Sequence, residues 1–322
     1  MDYLTYSPPL QKGDFLILDG GFSTQLLKYK AGIDEDPLWT ARSVVTDPDL
    51  VEKVHMDFIE AGARVIITDS YQISEQGFKQ YLDLDADATK GAVIQSVKLA
   101  KAAIKKCGKS PGYILVGGSV GPYGACQHDG SEYTGAYLDA VSREELVRWH
   151  LPRVQALITA GVDFIAAETL PCWREAVAVL DCISATGGFC PVWVSFAIKD
   201  ENTLGAGESI QEAVRQLRKH ELFSKGRIFA VGINCSYPRF ISGAIDNIRS
   251  LAKTLPIVVY ANSGEEWDAT SRRWEGTKED WSSHVKDWMS KGVVGIGGCC
   301  RVDAEEVAKI RLAAANTLAN NL

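Results

Sequence analysis

Eight short apolar, β-rich runs recur along the 322-residue chain, each separated from the next by a longer stretch of helical spacing. That alternation limits the fold more than any other feature. Repeated βα units bury their apolar strands in a parallel sheet with helices packed on its face. The expected strands are Phe15 to Gly21, Arg64 to Tyr71, Tyr113 to Gly121 and Asp163 to Leu170, then Pro191 to Ile198, Phe229 to Tyr237, Pro256 to Gly264 and Val293 to Cys300. Eight is the number of units that closes a (β/α)8 TIM barrel.

An open, doubly wound sheet also accommodates eight strands, but it favours a Gly-rich dinucleotide turn after the first strand, and G-x-G-x-x-G is absent. The barrel is therefore the expected fold, as a single α/β domain over residues 1–322. Local signals agree with the helical segments. Asp47-Pro48-Asp49 precedes one, Ser142 and Glu145 form a capping-box pattern before another, and Gly62, Gly161 and Gly292 stand where helices should end. Two connections, 122–141 and 263–280, exceed simple turns, and long βα loops usually carry function. The second contains Trp267 and Trp274.

Charge and composition exclude several classes. A net charge of −7 with scattered Lys and Arg argues against a nucleic-acid partner. No apolar run approaches the ~20 residues that span a bilayer, and MDYLTYSPPLQKGD lacks the basic start and apolar core of a leader. The expected location is cytoplasmic, with no membrane partner; the sequence does not specify an oligomeric state. Eight cysteines in such a setting are expected as reduced thiols, and the Asn234-Cys235-Ser236 sequon is expected to be chance.

Barrel chemistry sits at the C-terminal ends of the strands. Here those ends are polar: Asp19-Gly20-Gly21, Thr68-Asp69-Ser70-Tyr71, Ser119, Glu168-Thr169, Asn234-Cys235, Asn262 and Cys299-Cys300. Cys235, Cys299 and Cys300 are soft donors of the kind that hold Zn2+ at about 2.3 Å. Three thiolates leave one coordination position open, as a catalytic zinc requires. The alternative is that the adjacent cysteines are buried core residues. Alternation along a strand would turn only one of them inward, so a pair at a strand end suggests a departure from regular geometry.

The strings LDGGFSTQL, DPLWTAR, TDSYQ, GGSVGPYG, AAETLP, GINCS, YANSGE and GIGGCC occur in this order across almost the whole chain. In this ordered set the sequence resembles the homocysteine S-methyltransferase family. The resemblance implies a (β/α)8 barrel with Zn2+ on Cys235, Cys299 and Cys300, and the sulfur of homocysteine as fourth ligand. Zinc binding would present that sulfur as a thiolate at neutral pH, below the ordinary thiol pKa of about 8.5. By the same resemblance Glu168 holds the amino group of homocysteine and Gly20-Gly21 lines its pocket, with Asp19 nearby. Ser70, Tyr71, Ser119 and Asn262 are further candidates for substrate binding; the bland reading is that they satisfy loop backbone.

DPLWTAR is similar to members that use sulfonium donors, so the expected reaction transfers a methyl group from S-methylmethionine, or S-adenosylmethionine, to homocysteine. Selenocysteine is an alternative acceptor. Trp39, Trp267 and Trp274 offer ring faces to a cation, or pin their loops. Three rivals remain. GVVGIGG before Cys299 allows a phosphate-binding barrel lyase or isomerase. Gly117 to Gly121 matches G-x-S-x-G, though Pro122 and a long loop follow instead of a helix. A zinc-binding scaffold without turnover is the third. Cys126, in the first long loop, is a candidate redox-sensitive thiol.

Overall fold

The computed structural model describes residues 15–110, 112–268 and 273–319; the N-terminal segment MDYLTYSPPLQKGD and the side chain of Trp267 lie outside the described residues. The barrel strands are β1 (Leu16–Ile17), β2 (Val65–Ile67), β3 (Leu115–Val120), β4 (Phe164–Leu170), β5 (Val192–Phe196), β6 (Ile228–Asn234), β7 (Ile257–Ala261) and β10 (Val293–Gly298). They pair in parallel in the order β1-β10-β7-β6-β5-β4-β3-β2. A bridge from Leu18 to Val65, with Asp19 N donating to Val65 O at 3.0 Å, joins the two ends. The expected (β/α)8 TIM barrel is the observed fold.

The eight long helices are α1 (Pro48–Ala61), α2 (Ala86–Lys106), α3 (Arg143–Thr159), α4 (Trp173–Ala185), α5 (Ile210–Lys219), α6 (Pro238–Leu251), α7 (Trp281–Ser290) and α8 (Ala304–Ala319). Ser142 and Glu145 form the expected reciprocal cap on α3. Gly62, Gly161 and Gly292 all take positive φ at helix ends, where a side chain would be strained. The second long loop contains a small antiparallel hairpin, β8 (Glu266–Asp268) and β9 (Arg273–Glu275). Among the described residues no helix is long and apolar enough to cross a membrane.

Side chains alternating along the strands divide the core in two. Outward-facing residues pack beneath the helices, while Leu16, Leu18, Val65, Phe164, Trp193, Phe229 and Val258 fill the barrel. The Phe164 ring lies 4.6 Å from Trp193 and 5.4 Å from Phe229, centroid to centroid. Gly117 leaves room for that ring, since an added Cβ would fall 2.6 Å from it. Burying each such aromatic contributes about 2–3 kcal/mol and plugs the interior. Polar chemistry is thereby confined to the mouth beyond the plug.

Candidate active site

The strands end earlier than their apolar patterns suggested, and this places the site residues in the turns beyond them. β6 stops at Asn234 and β10 at Gly298, so Cys235, Cys299 and Cys300 are not strand residues. Cys235 takes φ 47° and Arg301 φ 68°, sparsely populated backbone for side chains of this kind. Hydrogen bonds hold the turn: Cys299 N donates to Ala261 O at 2.7 Å and Cys300 N to Asn262 Oδ1 at 3.1 Å. The expected departure from alternation is real, and all three sulfurs face one point.

Those sulfurs lie within 4.8 Å of one another. Three ligands at 2.3 Å around a tetrahedral ion stand about 3.8 Å apart, so the donor set fits a thiophilic metal in number and type, with Cys235 and Cys299 as separate thiols. The structure also corrects one expectation, because Cys235 and Cys299 are joined as a disulfide with Cα atoms 5.4 Å apart while Cys300 is free. Convergence on one point brings the sulfurs within bonding reach. Burial pushes the Cys300 thiol up to about 11, with the Tyr133 side chain opposing the shift.

Gly20 and Gly21 pass beneath this cluster. A Cβ on Gly20 would meet Val302 O at 2.5 Å, and one on Gly21 would collide with the carbonyl oxygen of Cys299. Their lack of side chains is therefore what lets the first turn lie against the last. Asp19 accepts from Ile67 N at 2.7 Å, and burial raises its carboxyl well above the usual range.

Glu168 is buried near the end of β4, where it accepts from the Ser119 hydroxyl. Burial raises its pKa to about 7, against the lowering effect of the Ser119 and Tyr260 side chains. No cationic side chain is among those influences. Ser119 thus bonds Glu168, and Asn262 bonds the Cys300 backbone. Ser70 donates to Ser119 O and pairs with Thr68 Oγ1, both at 2.8 Å, so its hydroxyl is engaged within the wall. Tyr71 passes over Gly121, where an added Cβ would meet its ring at 2.5 Å, and its side chain bonds that of Thr169.

Asn234 and Asp69, read from sequence only as polar strand ends, have supporting partners, and Thr40, Glu132 and Tyr133 were not singled out there at all. Asn234 accepts from Thr169 N at 2.8 Å and from the Ser195 hydroxyl, and donates to Thr169 Oγ1 at 2.7 Å. It ties the turn after Glu168 to the turn carrying Cys235. Thr40 of DPLWTAR donates to Asp69, whose pKa burial raises to about 7. Trp39 in that segment is 37% exposed with φ 46°. The first long loop supplies Glu132 and Tyr133, the latter reaching Cys300 with its side chain.

Three other readings fare worse. Gly297 and Gly298 of the Gly-rich run lie where a Cβ would strike Asp19 O and the Val302 side chain, so they serve close packing instead of a phosphate cradle. Ser119 lies within β3 and bonds a carboxylate, unlike a nucleophile on an elbow. Cys126 donates to Gln72 O at 3.6 Å and burial raises its thiol, which makes it a poor redox sensor.

The homocysteine S-methyltransferase family model matches residues 16–314. A betaine-homocysteine S-methyltransferase of Drosophila melanogaster is 39% identical over 307 residues, covering 92% of this chain and 93% of that protein. The selenocysteine methyltransferase of Astragalus bisulcatus is 36% identical over 319 residues, covering 92% and 91%. The homocysteine methyltransferase MmuM from Escherichia coli, solved in metallated and oxidized forms, superposes with a TM-score of 0.82 at 34% identity, covering 95% of this chain and 99% of that one. The chain belongs to the homocysteine S-methyltransferase family.

Proposed function

We propose that residues 1–322 act as one barrel domain that transfers a methyl group from a sulfonium donor to homocysteine, with Zn2+ held by Cys235, Cys299 and Cys300. The observation that carries this reading is the convergence of three sulfurs at one mouth with an unpaired buried acid, Glu168. Bound zinc supplies acidity, lowering the pKa of a substrate thiol so that it reacts as a thiolate at neutral pH. Holding the metal requires Cys235 and Cys299 as separate thiols, so a two-electron thiol reductant, itself oxidised to a disulfide, must first open theirs. A cytoplasmic setting, where thiols stay reduced, suits that requirement.

The chain's own groups bind and orient the acceptor. Glu168 as carboxylate receives the ammonium of homocysteine, and Ser119 fixes the carboxyl's direction. The Gly20-Gly21 turn allows backbone to approach the same amino acid closely. Asp19 holds the β2 end that forms the neighbouring wall. Asn262 fixes the Cys300 backbone, and Asn234 keeps the Cys235 turn in register with Glu168.

Atoms and charge balance simply. The bond from a methyl carbon to the positive sulfur of the donor breaks, leaving its electron pair there, while a bond forms to the acceptor sulfur and the thiol proton is lost. With S-methylmethionine both organic products are methionine. Four buried acids, Asp19, Asp69, Glu132 and Glu168, stand at strand ends or in the loop after β3, and suit cationic substrates better than phosphate. Identity does not select the donor, because a relative named for betaine, at 39%, and a homocysteine S-methyltransferase whose name gives no donor, at 37%, are similarly close. DPLWTAR and the four buried acids support S-methylmethionine first and S-adenosylmethionine second. Methionine formation measured with each sulfonium and with betaine, under reductant, tests the order. Turnover with betaine alone would overturn it.

A further inference from the structure

We propose that Glu132 binds the α-ammonium group of an amino-acid methyl donor, as a second charge clamp beside Glu168. The inference rests on the sulfonium-donor reading above and deepens it. Glu132 lies in the one-turn helix Ser131–Thr134 of the loop after β3 and is only 7% exposed. Its Oε2 has no hydrogen-bond partner among the described residues. A buried carboxylate in that condition is unfavourable unless a ligand completes it.

Its position ties it to the reaction mouth. The next residue of the same one-turn helix, Tyr133, bonds the Cys300 side chain with its own, which sets this helix against the sulfur cluster. The loop is fixed in place. Asp129 accepts from Ser131 N at 2.9 Å, and buried Glu175 accepts from Tyr123 N at 2.6 Å and from the Tyr137 hydroxyl. Gly124 packs so tightly on the short helix that an added Cβ would fall 2.5 Å from Glu132 N. The fold thus holds an unsatisfied acid in one orientation beside the reacting region.

Charge bookkeeping decides which part of the donor it takes. A sulfonium loses its positive charge as the methyl group leaves, so a carboxylate against it would stabilise the ground state more than the transition state. The ammonium of S-methylmethionine keeps its charge throughout. A clamp on that group strengthens donor binding uniformly and leaves the chemical barrier alone. The signature is a change in donor KM with little change in kcat.

The test compares S-methylmethionine with its deaminated analogue, which keeps the sulfonium and carboxylate, on zinc-loaded wild type and Glu132→Gln under reductant. Wild type should need about 10- to 100-fold more of the analogue for half-maximal rate. In Glu132→Gln the S-methylmethionine KM should rise by about the same factor, erasing the difference, while kcat and the homocysteine KM stay within about twofold. Glu132→Asp should recover part of the discrimination. Equal use of both donors by wild type overturns the proposal even if the variant fails to fold. Unchanged S-methylmethionine KM in a folded Glu132→Gln also overturns it, leaving the sulfonium reading intact. Wild-type turnover with betaine alone would sink both, since betaine has no ammonium N–H to clamp.

Discussion

Replacing Glu168 by Gln should make the ligand-free protein more stable and the enzyme worse. The carboxyl's pKa rises from 4.5 to about 7 in the fold, mainly through burial. At about 1.4 kcal/mol per pH unit, ionised Glu168 costs the empty protein about 3 kcal/mol. Because the folded pKa is the higher one, this penalty is absent below the unfolded pKa, grows as pH rises and is complete above about 7. Gln keeps the shape and can still accept from Ser119 but carries no such penalty. In a chain of 322 residues, about 3 kcal/mol corresponds to roughly 4 °C in Tm. Thermal melts at pH 8 should therefore show the variant above wild type, with the gap closing toward pH 5. Loss of a charge-assisted bond to the substrate ammonium should raise the homocysteine KM roughly 10- to 150-fold, from about 1.5–3 kcal/mol. A variant with a lower Tm at pH 8 and an unchanged homocysteine KM would refute the reasoning.

Asn234→Ala removes the bonds to Thr169 and Ser195 and frees two positive-φ turns, so we expect about 2–4 kcal/mol lost in urea melts and faster removal of metal by chelator. Unchanged chelator resistance would show that the Cys235 turn does not depend on it. Gly21→Ala forces a Cβ onto the Cys299 carbonyl and should cost about 1–3 kcal/mol together with metal affinity. Gly188→Ala, which meets nothing within 4 Å, should be nearly neutral, and equal effects of the two would argue against a tight first turn.

The barrel was legible because its eight apolar runs and helical spacings are local patterns, and the polar strand ends followed from the fold's geometry. Cys235, Cys299, Cys300 and Glu168 could be named since each falls within the last three residues of an expected strand and the family motifs mark it. Sequence did not reveal that Cys235 leaves the strand at positive φ, which depends on Asn234 and the neighbouring turn. For Ser70, Ser119 and Asn262 it left substrate contact and backbone satisfaction both open, and the structure gives each a hydrogen bond to backbone or to Glu168. A hydroxyl or amide at a strand end looks the same in sequence whichever partner it meets. Glu132 and Tyr133 were passed over because their loop has no period and reaches the mouth only through packing on Gly124 and Glu175. The expected reduced state missed the Cys235–Cys299 pairing, since the approach of residues separated by 64 positions is a tertiary fact.

The most direct test of the three-cysteine account is metal analysis of protein purified under reductant without chelator, coupled to methionine formation from homocysteine, for wild type and Cys299→Ser. The account predicts about one zinc per wild-type chain, as three thiolate ligands to a single ion require, with both metal and turnover lost in the variant. Full turnover by metal-free wild type, or a Cys299→Ser variant that keeps its zinc and its rate, would contradict it.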